Sequence, residues 1–197
     1  MALKVVTPPA GPIIDDATAQ LQCRVDSDDD LVLIQVARTA AEESIEEYLR
    51  RTLLQTVYDR FLPCFPQGRC AITMPAPPLV SVTHLKYYDT SGNQQTLSEG
   101  TDYQVDTNNI PGEIVPAPGG YWPATQADKV GAVEIRFTAG YADADEIPSA
   151  IKAAILMRIA ALYTNPEEYS RGVGISIHPM ADLMRDLLSP YINRFAQ

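Results

Sequence analysis

The chain has 197 residues, three cysteines and a net charge of −10; that length suits one domain, or one domain carrying a sizeable insert, and can bury a hydrophobic core without staples. Cys23, Cys64 and Cys70 are odd in number and far apart, which argues against a disulfide framework and for small core residues in a reducing cytoplasm. The acidic balance argues against a surface that grips nucleic-acid phosphates, because that affinity comes from clustered Lys and Arg, yet it suits DNA that must slide past without sticking.

The start, "MALKVVTPPAGP", has one lysine and no apolar run of signal-peptide length. No later stretch approaches the ~18 consecutive apolar residues of a membrane span, so a soluble, unexported chain is expected. Residues 1–14 read as an extended arm, rich in Pro and Gly. Asp15 and Asp16 are placed to cap a short helix running to about Arg24. After the turn "VDSDDD", Asp28, Asp29 and Asp30 are placed to cap a longer helix from about Asp29 to Arg51 and to complement its dipole. Its core face is predicted from the recurrence of Leu33, Val36, Ala37, Ala40, Ile45, Tyr48, Leu49 and Thr52. Glu42, Glu43, Glu46 and Glu47 fall on the other face, which reads as solvated, with Glu46/Arg50 and Glu47/Arg51 spaced as i,i+4 pairs worth about 0.3 kcal/mol each.

From Leu53 the texture changes. Prolines 63, 66, 75, 77 and 78 interrupt any helix, while "QTVYDRFL", "RCAITM" and "LVSVTHLKYYD" carry the β-branched and aromatic residues that fit strands. "DTSGN" is a turn signal, with Gly92 free to take a left-handed backbone, and it leads to a return strand "QQTL". "DYQVD", "EIVP" and "AVEIRFTAG" read as further strands; in the last, Val133, Ile135 and Phe137 alternate with Glu134, Arg136 and Thr138. Helical texture returns at Pro148, a residue suited to a first helical turn. "PSAIKAAILMRIAALYTN" has only Lys152 and Arg158 as charges, and a helix apolar on nearly every side is normally buried on nearly every side. One face then meets the chain's own core and another a neighbouring subunit, with Ile151, Ile155, Met157, Ile159 and Leu162 as the candidate packing residues. A final helix from Pro179 shows an apolar stripe of Met180, Leu183, Met184, Leu187, Leu188, Tyr191, Ile192 and Phe195, with Pro190 placed to kink or end it. The expected fold is α+β: about four helices, in residues 15–52 and 148–197, split by a β-rich insert over residues 53–147 of five to seven short, mainly antiparallel strands.

Chemistry is sparse. Asp26, Asp28 and Asp30 match the first ligand positions of a calcium loop, but Leu31 stands where the sharp turn needs Gly and Ala37 where a bidentate Glu is needed. Cys64, Cys70, His84 and His178 lack zinc spacing. "RGVGISI" offers Gly172 and Gly174 without the third glycine or the preceding strand of a dinucleotide loop. Nucleophile-elbow, phosphate-loop and zinc-protease motifs are missing; a hydrolase would have to use His84 or His178 and ranks third among the readings, and no cofactor or metal is expected. The lone Trp122, in "GGYWPATQ", is expected to cover the open end of a small sheet. The alternative is a β-module that binds carbohydrate or a receptor through Tyr87, Tyr88, Tyr121 and Trp122.

Taken in order, "ARTAAEESIEEYLRRTL", "PAPPLVSVTHLKYYDTSGNQQTL", "TDYQVD", "IPGEIV", "YWPAT", "AVEIRFTAGYADADEIPSAIKAAILMRIAALY" and "NPEE" resemble the head-tail connector, or portal adaptor, proteins of tailed bacteriophages. The likeness covers roughly residues 14–170 and points to the larger members, which carry a β-rich insert. The chain departs from that pattern at Leu49-Arg50-Arg51-Thr52, where many relatives turn on a Gly, at Asn165-Pro166-Glu167-Glu168, where relatives are often more basic, and beyond residue 171. The resemblance implies a non-enzymatic homo-oligomeric ring, typically a dodecamer, in the virion neck after assembly in the host cytoplasm. Such a ring sits beneath the portal protein and offers a platform to the next neck or tail-completion protein, while DNA passes through without specific binding and no membrane is involved. Leu187, Leu188, Tyr191, Ile192, Arg194 and Phe195 are then the candidate portal or subunit contacts, because an amphipathic terminal helix suits a partner's groove.

Overall fold

In a computed structural model, the structure describes residues 2–164 and 179–193. They form four helices and two antiparallel sheets of five and three strands, an α+β fold as the sequence predicts. By contacts they divide into two compact units, one of residues 2–10 and 54–141, the other of residues 11–53, 142–164 and 179–193.

The β unit is built on a sheet ordered β1-β2-β8-β4-β5, with β1 Ala2–Thr7, β2 Thr56–Leu62, β4 Leu79–Tyr88, β5 Gln94–Leu97 and β8 Val133–Ala139. A smaller sheet is ordered β3-β7-β6, from Ile72–Thr73, Glu113–Pro116 and Tyr103–Asp106. The extended N-terminal stretch is thus an edge strand rather than only an arm, with Lys4 opposite Asp59 and Val5 opposite Tyr58. β8 lies at the centre, between β2 and β4. Its Val133, Ile135 and Phe137 are fully buried and join Leu79, Val82 and Leu85 of β4 with Ile72, Tyr103 and Ile114 of the smaller sheet in one core. The hairpin from β4 to β5 turns on Asp89, whose Oδ1 accepts the Ser91 and Asn93 backbone N–H groups at 2.9 and 3.0 Å. Gly92 follows at φ +85°, the left-handed conformation that the turn signal predicts.

The helical unit comprises α1 Asp16–Cys23, α2 Leu31–Leu49, α3 Ser149–Thr164 and α4 Pro179–Leu188. Asp15 caps α1, accepting the Thr18 N–H and hydroxyl at 2.8 Å each. Asp28–Asp30 form a 3₁₀ turn ahead of α2, and no side chain there bonds the helix N-terminus. Their help to α2 is therefore charge against the dipole rather than the expected capping bond. α2 ends at Arg50, held left-handed at φ 52° with its N–H on the Glu46 and Glu47 carbonyls; an arginine fills the position that glycine usually takes. α4 stops at Leu188, and a 3₁₀ turn, Ser189–Tyr191, contains Pro190.

The buried face of α2 is Ile34, Ala37, Ala41, Ile45 and Leu49. Leu33, Val36, Ala40 and Tyr48, expected in the core, are exposed. The run Leu31-Val32-Leu33-Ile34 points apolar side chains in every direction, so periodicity identifies the helix and leaves its facing open. The acidic face also does more than meet solvent. Glu42 accepts the Ile13 and Ile14 backbone N–H groups at 3.0 Å each, and Glu46 accepts that of Leu53 at 2.6 Å.

Candidate functional site

The candidate contact residues lie in the helical unit, and burial sorts them. Ile151, Ile155 and Ile159 have no exposed surface, because α3 packs against α1, α2 and α4 of the same chain. Met157 and Leu162 are half-buried, and no residue from 150 to 163 is fully exposed. Leu188 is buried, while Leu187, Tyr191 and Ile192 are half-buried. Arg194 and Phe195 lie outside the described residues, as do Gly172, Gly174, His178 and the Asn165–Glu168 stretch. Leu183, on the predicted stripe, is exposed.

The tail after α4 is tied to the end of α2, where the last helical carbonyls have no partner inside the helix. The Asn193 N–H donates to the Leu49 carbonyl at 2.9 Å and its side chain to the Arg50 carbonyl, while Arg51 Nε donates to the Tyr191 carbonyl. Beside this anchor, α2, α3 and α4 frame a cleft of about 250 Å³ with an apolar floor of Ile45, Met184 and Leu188. Tyr48, Arg158 and Arg185 border it. At the other end of α2, Val32, Leu33 and Val36 are 70%, 61% and 63% exposed. Their i,i+3 and i,i+4 spacing makes one ridge of them. The preceding Asp26, Asp28 and Asp29 are exposed too. Spacing could not have found either surface, since both are defined by which apolar residues the fold leaves uncovered.

In the β unit, the sheet brings together residues that are isolated in sequence. Asp59, His84 and Glu134 present ligand atoms within 4.8 Å of one another, and His84 Nε2 stands 3.1 Å from Glu134. Asp59 and His84 both sit opposite Arg136 across the strand ladder. Arg136 donates to both Asp59 oxygens, at 2.7 and 2.8 Å, and holds that carboxyl below the usual carboxylate range. A guanidinium thus already occupies the carboxylate that a metal would need, and repels a second cation. The group is a charge ladder on a sheet face, a cross-strand arrangement that stabilises sheets. Separation in sequence hid it; only the register of β2, β8 and β4 reveals it.

The other motifs settle into local roles. Asp28, Asp29 and Asp30 bond to Gln20, Ser27 and Tyr163 respectively, so they diverge instead of converging on an ion. The Tyr163 hydroxyl is pushed up by that bond to Asp30. Trp122 is 9% exposed, stacked on Phe65 at 4.9 Å and 3°, and its Nε1 donates to the Cys70 carbonyl at 2.8 Å. Tyr87 packs edge-on against Phe65, Tyr88 lies beneath Lys129, and only Tyr121 of the four aromatics stands well out, at 71%. The set does not form an exposed stacking platform. Among the described residues, no helix is long and apolar enough to cross a membrane.

No family model and no curated protein matches the sequence. Solved structures do match it along its full length. The chain covers 100% of itself and 98% of a chain in the neck of an empty gene transfer agent particle computed with C6 symmetry, at a TM-score of 0.78 and 20% identity. Against a chain in the virion of the native gene transfer agent particle the TM-score is 0.77 at 21% identity, with the same coverage. Against one in the native neck computed with C12 symmetry it is 0.72, at 21% identity and the same coverage. The protein therefore has the fold of chains found in the neck and virion of a gene transfer agent.

Proposed function

We propose that this protein is a structural neck component of a tailed phage or related particle: a portal adaptor that forms a ring, extends the DNA channel and provides a platform for the next neck or tail-completion protein. The observation that carries the reading is the full-length likeness to gene transfer agent chains, two of them in neck reconstructions with C6 and C12 symmetry. The ordered motifs that resemble portal adaptors point the same way. Half-buried apolar residues at Met157, Leu162, Leu187, Tyr191 and Ile192 provide surface for the portal or a neighbouring copy. Twelve copies at −10 each would carry about −120, and acidic groups facing the channel would repel DNA from its wall.

Electron microscopy of the purified protein mixed with the portal of its own particle tests the proposal. The expected result is a ring stacked on one end of the portal. Particles in which the portal stays bare at saturating protein would overturn it.

A further inference from the structure

The helical unit carries two apolar surfaces flanked by groups of opposite charge. The ridge of Val32, Leu33 and Val36 projects from the start of α2, next to the exposed Asp28 and Asp29. The cleft at the other end of the unit has an apolar floor and is bordered by Arg158 and Arg185, in a chain whose overall charge is −10. Eight positions separate Val36 from Ser44 at the cleft's edge, about 12 Å along the axis at 1.5 Å per residue. The two surfaces therefore do not overlap. At about 250 Å³ the cleft is smaller than the roughly 300–1,000 Å³ of a small-molecule site, a size suited to aliphatic side chains. An exposed run of neighbouring apolar residues marks an interaction surface, whereas scattered single ones do not.

On the reading that the chain assembles as a cyclic ring, we infer that the α2 ridge of one copy seats in the α2–α3–α4 cleft of the next. A closed ring of identical subunits needs a head-to-tail interface, in which each copy presents two different and complementary surfaces. The ridge supplies apolar side chains flanked by carboxylates; the cleft supplies an apolar floor flanked by guanidinium groups. Apolar contact carries the affinity, and opposite charge fixes the orientation and discourages ridge-to-ridge pairing.

The test uses the full chain in two variants, Leu33→Asp/Val36→Asp on the ridge and Met184→Asp/Arg185→Glu in the cleft. Circular dichroism melts check that each is folded, and oligomeric state is read by sedimentation velocity and negative-stain microscopy. Wild type is expected to form rings at high concentration and each variant alone to remain monomeric. An equimolar mixture of the two should stop at a heterodimer, because one intact ridge meets one intact cleft and nothing remains to propagate. A second, milder set guards against misfolding. Asp29→Arg and Arg185→Glu should each raise the concentration for half-assembly at least tenfold, and the combined variant should recover most of that loss. Rings that persist in both double variants would overturn this interface and leave the neck reading standing. A wild type that stays monomeric both alone and when mixed with the portal overturns the ring itself, and this interface with it.

Discussion

Glu42 shows how one side chain on a charged helix face can hold a chain segment. Its carboxylate receives the N–H groups of Ile13 and Ile14, two buried residues at the entry to the helical unit. Removing it leaves both donors without that acceptor, at about 1–3 kcal/mol for each buried group. Glu42→Ala should therefore cost about 2–6 kcal/mol in urea unfolding. Glu42→Gln, which keeps an acceptor oxygen and drops the desolvated charge, should lie within about 1 kcal/mol of wild type. Trp122 plays the equivalent part in the β unit. Trp122→Ala removes the stack on Phe65 and the bond to Cys70, and a loss of about 3–5 kcal/mol is expected. Trp122→Phe keeps the ring contact, so a loss near 1 kcal/mol, that of the hydrogen bond, is expected in the same experiment.

At the level of elements, the end of β8 is the least forgiving place. Gly140 sits at φ +107°, and a Cβ there would lie 2.4 Å from the Leu54 carbonyl oxygen. Backbone cannot give way as a flexible side chain can, so Gly140→Ala should cost at least about 2 kcal/mol, read as a lower urea midpoint. The "FTAGY" stretch is thus tied to the close approach of two backbone segments. Much of this architecture is legible beforehand. The alternation along Val133–Ala139 matches the observed burial residue by residue, because each side of a strand has one fate. The turn at Asp89–Asn93 is legible because its chemistry is local. What escapes is non-local. β1 becomes a strand by pairing with β2 fifty residues on, and nothing within "ALKVVT" announces that partner. β3 shrinks to Ile72–Thr73 in a stretch crowded with prolines, which cannot donate to a ladder. The facing of α2 escapes because apolar residues occupy both of its sides, and the Asp59–Arg136–His84 row because three strands must be in register before it exists.

For the whole molecule, acid stability should be the sum of opposing titrations. Asp59 has a lowered pKa, chiefly from its bond to Arg136, so the unfolded chain binds that proton more tightly than the native one. Its contribution is complete above the unfolded value near 4 and disappears as pH falls through the lower folded value. Glu42 runs the other way. Burial pushes its pKa up, so the native state binds the proton more tightly and gains stability as pH falls toward about 4.5. Urea midpoints between pH 3 and 7 should therefore hold or rise slightly on the way down to about 4.5 and then drop. Asp59→Asn should flatten the drop, and Glu42→Gln should remove the rise; an unchanged acid limb in Asp59→Asn would refute the role given to the ladder.

These two effects belong to different parts of the molecule, and the position of the indole makes them separable. The chain has one tryptophan, and it lies in the β unit, while the four helices among the described residues belong to the other unit. Intrinsic fluorescence excited at the indole is accordingly a report from the β unit, and ellipticity at helical wavelengths is chiefly a report from the helices. Recorded together on unlabelled wild-type protein, the two signals would show whether a neck subunit loosens all at once or one half at a time.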